Sequence, residues 1–253
     1  ANTTAIRVLI DHHLHPPLDE YTLHFSDTHA CSTSYIVYQL ITALAGSEAL
    51  TKAMAESLYV GIMTDTGNFA YSNLDADLFR AVAALIDRGI SVPYIYSAVY
   101  NNFSEGRMRL MGYMLNDKMK LLWKHGAAYM WLTEEEMRRF NFKQGDSEGF
   151  VNYPLSIRGI SLSAMFTQTQ HEIRVSLRSR GDVDVNVFAR RYFGGGGHRN
   201  AAGGKSFVSM EETIMHFERS VAEYFGELPP TGAGELDPKS ATEEPTVVTT
   251  PKP

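Results

Sequence analysis

Apolar and polar positions along the chain follow two rhythms, one of strands and one of helices. Residues 5–10 form a nearly continuous apolar run ending in Asp11, as in a buried parallel strand that delivers polar groups at its carboxyl end. Ser32-Thr33-Ser34 predicts the cap of a helix reaching about residue 44, with Tyr35, Tyr38, Leu40 and Ile41 in its apolar set. A second helix is expected over about 48–63, stopping at Thr64-Asp65-Thr66-Gly67. A third starts after Asn73 or Asp75 and runs to Arg88, closed by Gly89. Residues 104–122, rich in Met, Leu and Lys, read as one connecting helix between domains. Beyond them, 127–132, 160–167 and 172–179 read as strands; in the last, Ile173, Val175 and Leu177 alternate with Arg174, Ser176 and Arg178. Residues 186–192 and 210–224 read as helices, and no internal repeat is visible.

Strands alternating with helices over 253 residues predict an α/β chain of two domains. The expected architecture is a parallel-sheet domain over 1–103 and a smaller mixed-sheet α/β domain over 123–228, joined by the helix at 104–122. From Pro229 onward six of the ten prolines fall within 25 residues, which predicts a disordered tail over 229–253. Hydrophobic residues make up 44% of the chain and charged residues 21%, enough to bury a core and to exclude general disorder. No apolar run approaches the ~18 residues of a membrane span. The lone Cys31 cannot form an intrachain disulfide, and no signal-peptide pattern opens the chain, so a reducing cytoplasm is the expected setting. The chain opens on Ala1 and is already in an apolar stretch within ten residues, which reads as a fragment.

The net charge of −6 hides an asymmetry. Residues 1–104 carry ten acids against four bases, whereas 173–205 carry seven bases against two acids. An acidic lobe followed by a basic one suits a metal site beside an anion clamp.

Three strings carry candidate chemistry. Asp11-His12-His13 follows directly on the first strand, where open α/β sheets place ligand sites, and imidazole with carboxylate suits Mn²⁺, Zn²⁺ or Fe²⁺. Asp65 stands at a polar turn that ends an apolar helix; taken alone, it reads equally as a capping residue. The run from Gly194 to Gly204, with His198, Arg199 and Asn200 inside it, predicts a loop whose amides turn toward an anion while His198 and Arg199 add donors. Arg178-Ser179-Arg180 at a strand end supplies guanidinium groups for the same phosphate.

In this order, Asp-His-His after a strand, Gly-Ile-x-x-Asp-Thr-x-x-Phe after a helix, Ser-Leu-Arg-Ser, and Gly-Gly-Gly-His-x-x-Ala-x-Gly, the strings resemble the DHH phosphoesterase family. They fit its branch with a glycine-histidine second domain, and the small oligoribonuclease and pAp phosphatase members within it. The resemblance covers about residues 5–225 and makes residues 1–103 the C-terminal part of the DHH domain. It implies that His12 and Asp65 ligate metal, two Mn²⁺ ions (or Mg²⁺) in a complete enzyme, with Asp11 and His13 as catalytic groups orienting the ligands and the bound water. It implies further that Arg178, Ser179, Gly195, Gly196, Gly197, His198 and Arg199 grip the substrate phosphate. Family members also carry a His and an Asp-x-Asp pair upstream of the triplet, which this sequence begins too late to contain. The pairs Asp75-x-Asp77 and Asp182-x-Asp184 are expected to be a helix cap and a surface turn instead. The implied function is hydrolysis of short oligoribonucleotides or adenosine 3′,5′-bisphosphate. Alternatives are a cyclic or linear dinucleotide phosphodiesterase, or a non-catalytic nucleotide-binding fragment. A polyphosphatase is disfavoured because those members carry a different second domain. The expected partner is a nucleotide or short RNA rather than a membrane, and apolar surface left by absent strands would favour a homodimer.

Overall fold

The computed structural model describes residues 5–13, 16, 18–71 and 73–227. The expected tail over 229–253 lies outside the described residues. The chain divides into two compact units, residues 1–103 and 104–253.

The first unit carries a parallel strand pair, β1 (Val8–Asp11) and β2 (Leu23–Ser26), in a register that sets Asp11 beside Ser26. Four helices follow: α1 (Thr33–Ala45), α2 (Lys52–Asp65), α3 (Ala76–Asp87) and α4 (Val92–Tyr100). Each begins at a side chain that accepts a backbone N–H of its first turn: Ser32 from Tyr35, Thr51 from Met54, Asp75 from Leu78 and Ser91 from Tyr94. Glu48 and Ala49, expected inside the second helix, belong to a 3₁₀ turn, Ser47–Ala49, because the Thr51 cap restarts the chain at Lys52. Tyr35, Leu58, Ile62, Met63, Leu78 and Leu85 form the core between the helices. The strand β2 and the helix α4 were not legible in the sequence pattern. On the strand pair, Val8, Leu23 and Phe25 remain 46, 52 and 44% exposed, unlike the doubly covered strands of most parallel sheets.

The second unit is built on a six-stranded mixed sheet, so the domain expected to be the smaller carries the larger sheet. Its strands are β3 (Lys120–Leu122), β4 (Ala127–Leu132), β5 (Leu162–Gln168), β6 (Ile173–Ser179), β7 (Gly196–His198) and β8 (Ala201–Ser206), in the order β3-β4-β5-β6-β8-β7. Within this sheet, among the described residues, only the β4–β5 pair runs parallel. One face packs on α7 (Val185–Phe193) and α8 (Met210–Glu227) through Phe166, Val175, Leu177, Phe188, Phe217 and Val221. The other is covered over its β4 and β5 part by α5 (Glu105–Tyr113) and the segment Phe150–Ser156, through Leu110, Met114, Met130, Met165 and Phe150. The short α6 (Glu134–Arg139) starts on a Thr133–Glu136 capping box.

The expected single helix over 104–122 is corrected. It ends in a π-helical turn, Met114–Lys118, after which residues 120–122 pair with β4. Ladder formation outweighs the helix propensity of Met, Leu and Lys there. Leu110 and Met114 belong to the second unit's core, so the segment is part of that unit rather than a free connector.

Candidate functional site

In the first unit, Asp11 ends β1 and its Oδ1 gathers the turn that follows. It accepts the backbone N–H of His12 at 2.9 Å and of His13 at 3.3 Å, and meets Nδ1 of His13 at 2.6 Å. Burial opposes ionisation of Asp11, but these hydrogen bonds outweigh it and hold the carboxyl below its ordinary value. His12 turns the other way. Its Nδ1 lies 3.4 Å from the carbonyl of Ala30, which selects the tautomer with hydrogen on Nδ1, and its Nε2 lies 3.8 Å from Oδ2 of Asp65. Asp65 is the last residue of α2, and α2 packs against α1 at Gly61, where a Cβ would fall 1.9 Å from Oγ of Ser34. The glycine of the Gly-Ile-x-x-Asp string thus lets two helices approach, and the approach sets the aspartate.

His12 Nε2 and Asp65 Oδ2, 3.8 Å apart, are close enough to ligate one cation together. An imidazole nitrogen fixed by a main-chain carbonyl, with a carboxylate oxygen, is the donor set of Mn²⁺, Zn²⁺ or Fe²⁺. His12 and Asp65 therefore fit one such ion. The Ala30 carbonyl that orients His12 leaves no trace in sequence, since any residue could supply it.

In the second unit, strand alternation separates the two residues read as a pair. Arg178 projects from β6 with Ser176 toward the face opposite α7 and α8, whereas Ser179 is buried toward those helices. The Ser179 hydroxyl donates to the carbonyl of Val183 at 2.6 Å and accepts from Nδ2 of Asn200 at 2.9 Å. Its expected place on a substrate phosphate is corrected: it fixes the turn before α7. Arg178 is half-buried, donates to the carbonyl of Leu177, and has no carboxylate within ion-pair distance among the described residues. Burial pushes its guanidinium below the ordinary value, with the Glu148 carboxylate opposing. Across the β5–β6 ladder it is in register with Ser163, whose buried hydroxyl has no hydrogen-bond partner among the described residues. A half-buried cation beside an unsatisfied hydroxyl is a place for an anion.

The expected open glycine loop is a hairpin. Gly196, Gly197 and His198 pair with Gly203, Ala202 and Ala201. The Gly195 amide donates to the carbonyl of Ala189 and the Gly197 amide to Oδ1 of Asn186, so these two N–H groups are spent inside the fold. Glycine is demanded by packing: a Cβ on Gly195 would lie 1.8 Å from the Gly203 carbonyl oxygen. Arg199, expected to hold phosphate, pairs with Asp182 at 3.1 Å. Asp184, read as part of a surface turn, caps α7 by accepting from Val187.

Residues 126–226 match the DHHA1 domain. Over 210 residues the chain is 31% identical to the bifunctional oligoribonuclease and PAP phosphatase NrnA of Bacillus subtilis, which covers 80% of this chain and 63% of that protein. It is 30% identical over 213 residues to the probable counterpart from Streptococcus mutans, covering 83% of this chain and 66% of that protein. The chain belongs to the DHH family, in its DHHA1 branch. Among solved structures, an exopolyphosphatase-related protein from Bacteroides fragilis matches with a TM-score of 0.83 at 39% identity, over 88% of this chain and 65% of that one. The chain thus spans just under two thirds of the length of these relatives. Within this DHH–DHHA1 chain the DHHA1 match runs from Gly126 through most of α8, taking in Arg178 and the hairpin. The Asp-His-His turn and Asp65 lie before it, in the first unit. No helix of the described residues is long and apolar enough to cross a membrane.

Proposed function

We propose that this chain carries the chemistry of a Mn²⁺-dependent phosphoesterase acting on short 5′-phosphorylated oligoribonucleotides and on adenosine 3′,5′-bisphosphate. The observation that carries the reading is the convergence of His12 Nε2 and Asp65 Oδ2 to 3.8 Å at the ends of β1 and α2. The names of the two curated relatives supply the substrate class. When bound, the metal would supply an activated water and polarise a phosphoryl oxygen. The chain's own residues do the rest. His12 and Asp65 hold the ion, and the Ala30 carbonyl keeps the His12 ring turned toward it. In hydrolysis water adds to phosphorus, the P–O bond to the departing nucleoside breaks, and its oxygen takes up a proton. Asp11 holds Nδ1 of His13 at 2.6 Å and so orients the ring, which assigns taking up and returning that proton to His13 Nε2. Arg178 binds phosphate as a planar, permanently charged donor.

The test is release of AMP from the dinucleotide pApA in Mn²⁺, in Mg²⁺ and in excess chelator, with cyclic di-AMP and polyphosphate as competitors. Metal-dependent release, inhibited more by adenosine 3′,5′-bisphosphate than by either competitor, is the expected result. Release that survives the chelator would overturn the metal reading. Stronger inhibition by polyphosphate would replace the substrate class.

A further inference from the structure

The turn after Asp65 is unusually constrained. Gly67, Asn68 and Phe69 all adopt positive φ, at 55, 59 and 61°. Two of them are not glycine, and an aromatic residue in this region is a true outlier, of the kind that gathers at ligand sites. The buried Thr66 holds the turn. Its hydroxyl donates to the Ile62 carbonyl and accepts from Phe69 N–H, and its carbonyl accepts the N–H groups of Ala70 and Tyr71 at 3.0 and 2.9 Å. The result is a division of two aromatic rings. Phe69 turns toward the core against Tyr59 and Phe79, while Tyr71 turns outward and stays 61% exposed. The Tyr71 ring packs against Gly67, so close that a Cβ there would fall 2.3 Å from its Cδ2. The chain therefore bends its backbone to seat an exposed aromatic ring against Gly67, two residues after Asp65.

We propose that Tyr71 is a nucleobase platform: its exposed face stacks on the base of the nucleotide whose phosphate is held at His12 and Asp65. The proposal rests on the phosphoesterase reading for the location of the phosphate. It adds what selects a nucleotide over a bare sugar phosphate. Every base offers a π-face, so a single ring gives preference for nucleotides without choosing among bases. Tyr71 is then a specificity-determining residue, and its hydroxyl plays no part.

The test compares binding of AMP and ribose 5-phosphate to the chain in Mn²⁺ by calorimetry, for the wild type, Tyr71→Phe, Tyr71→Leu and Tyr71→Ala. The wild type and Tyr71→Phe are expected to prefer AMP by about tenfold, the effect of one base–aromatic stack. Tyr71→Leu and Tyr71→Ala are expected to bind both ligands with the affinity of ribose 5-phosphate. The exposed position leaves the fold intact in each. A wild type that does not distinguish the two ligands, or binds neither, overturns the proposal. So does a Leu variant that keeps the preference, since leucine fills the volume without a π-face. The two readings fail separately: AMP preference without hydrolysis of pApA sinks the phosphoesterase, whereas hydrolysis with the same KM in wild type and Tyr71→Ala sinks the platform.

Discussion

In the turn after β1, ordinary backbone carries unusual side chains; in the hairpin of the second unit, unusual backbone carries side chains that are mostly spent. His12 and Asp65 come from elements more than fifty residues apart, and only helix packing brings their donor atoms to 3.8 Å. The glycines of 194–204 sit together in sequence, and Gly195 and Gly197 are there because strand meets strand too closely for a Cβ, while Gly204 makes room for Phe193. Two strings that look alike as motifs thus differ in kind. One is a pair of side chains that helix packing, not sequence, brings side by side. The other is largely a packing requirement, with Arg178 turned to the opposite face of the neighbouring strand β6.

The sharpest way to break this comparison is Gly195→Ala. A Cβ 1.8 Å from a carbonyl oxygen cannot be accommodated without moving β8, so the second unit is expected to lose ~4 kcal/mol or its cooperative unfolding altogether. Thermal denaturation followed by near-ultraviolet circular dichroism checks it. If Gly195→Ala melts as the wild type does but loses nucleotide binding, the hairpin is a cradle first and the contrast collapses. Next comes Asp65→Asn. Outer partners of metal ligands typically cost 10–100-fold when removed, so loss of a direct donor is expected to lower Mn²⁺-dependent hydrolysis of pApA by at least about a hundredfold. Because Asp65 is partly exposed at a helix end, the melting temperature should barely change. A folded, fully active Asp65→Asn would remove the aspartate from the site.

What the sequence made legible follows the same division. The triplet, Asp65 and the β6 alternation could be read because each depends on local pattern: a strand that ends, a helix that stops, a period of two. The strand β2 could not, because Leu-His-Phe-Ser is too short to carry a period, and it is ordered by pairing with β1. Residues 120–122 were read as helix since their pairing partner is distant in kind, a ladder rather than a turn. The glycine run was read as an anion loop because sequence shows flexibility and not contact. Ser179 was misplaced for a simpler reason: one step along a strand reverses the face, and the motif was read as a unit.

A third experiment sharpens the comparison by isolating charge that serves structure alone. Glu136 is mostly buried, receives the Tyr113 hydroxyl at 2.6 Å, pairs with Lys118 and closes the Thr133 capping box. Burial opposes its ionisation, yet these donors prevail and hold its carboxyl below the ordinary glutamate value. A depressed folded pKa means stability that is present above the unfolded value and lost as pH falls through the folded one. Glu136→Gln is therefore expected to cost about 2 kcal/mol at pH 7 and progressively less as the pH drops below about 4. Melting curves of both proteins across that range check it; a gap that persists at pH 2 would mean the carboxylate charge is not what matters.

The smallest effects separate two arginines that the sequence presents as equals. Arg178 is half-buried and has no carboxylate in ion-pair range among the described residues, whereas Arg199 is exposed and already joined to Asp182. Desolvated cations gain most from an arriving anion, and the planar guanidinium can meet phosphate in two hydrogen bonds where an ammonium cannot. Arg178→Lys is accordingly expected to weaken phosphate binding by about tenfold, ~1.4 kcal/mol, with little change in melting temperature. For Arg199→Ala the arithmetic runs the other way. Its exposed ion pair contributes at most about 1 kcal/mol to stability, and freeing Asp182 leaves an exposed carboxylate that water solvates. Affinity for AMP should change less than about twofold, and what change there is should vanish in high salt, where screening removes long-range attraction. Titrations of both variants at low and high salt distinguish the two cases. A tenfold loss for Arg199→Ala that persists in salt would place its guanidinium on the phosphate, and the Asp182 pair would then be a resting state that substrate displaces.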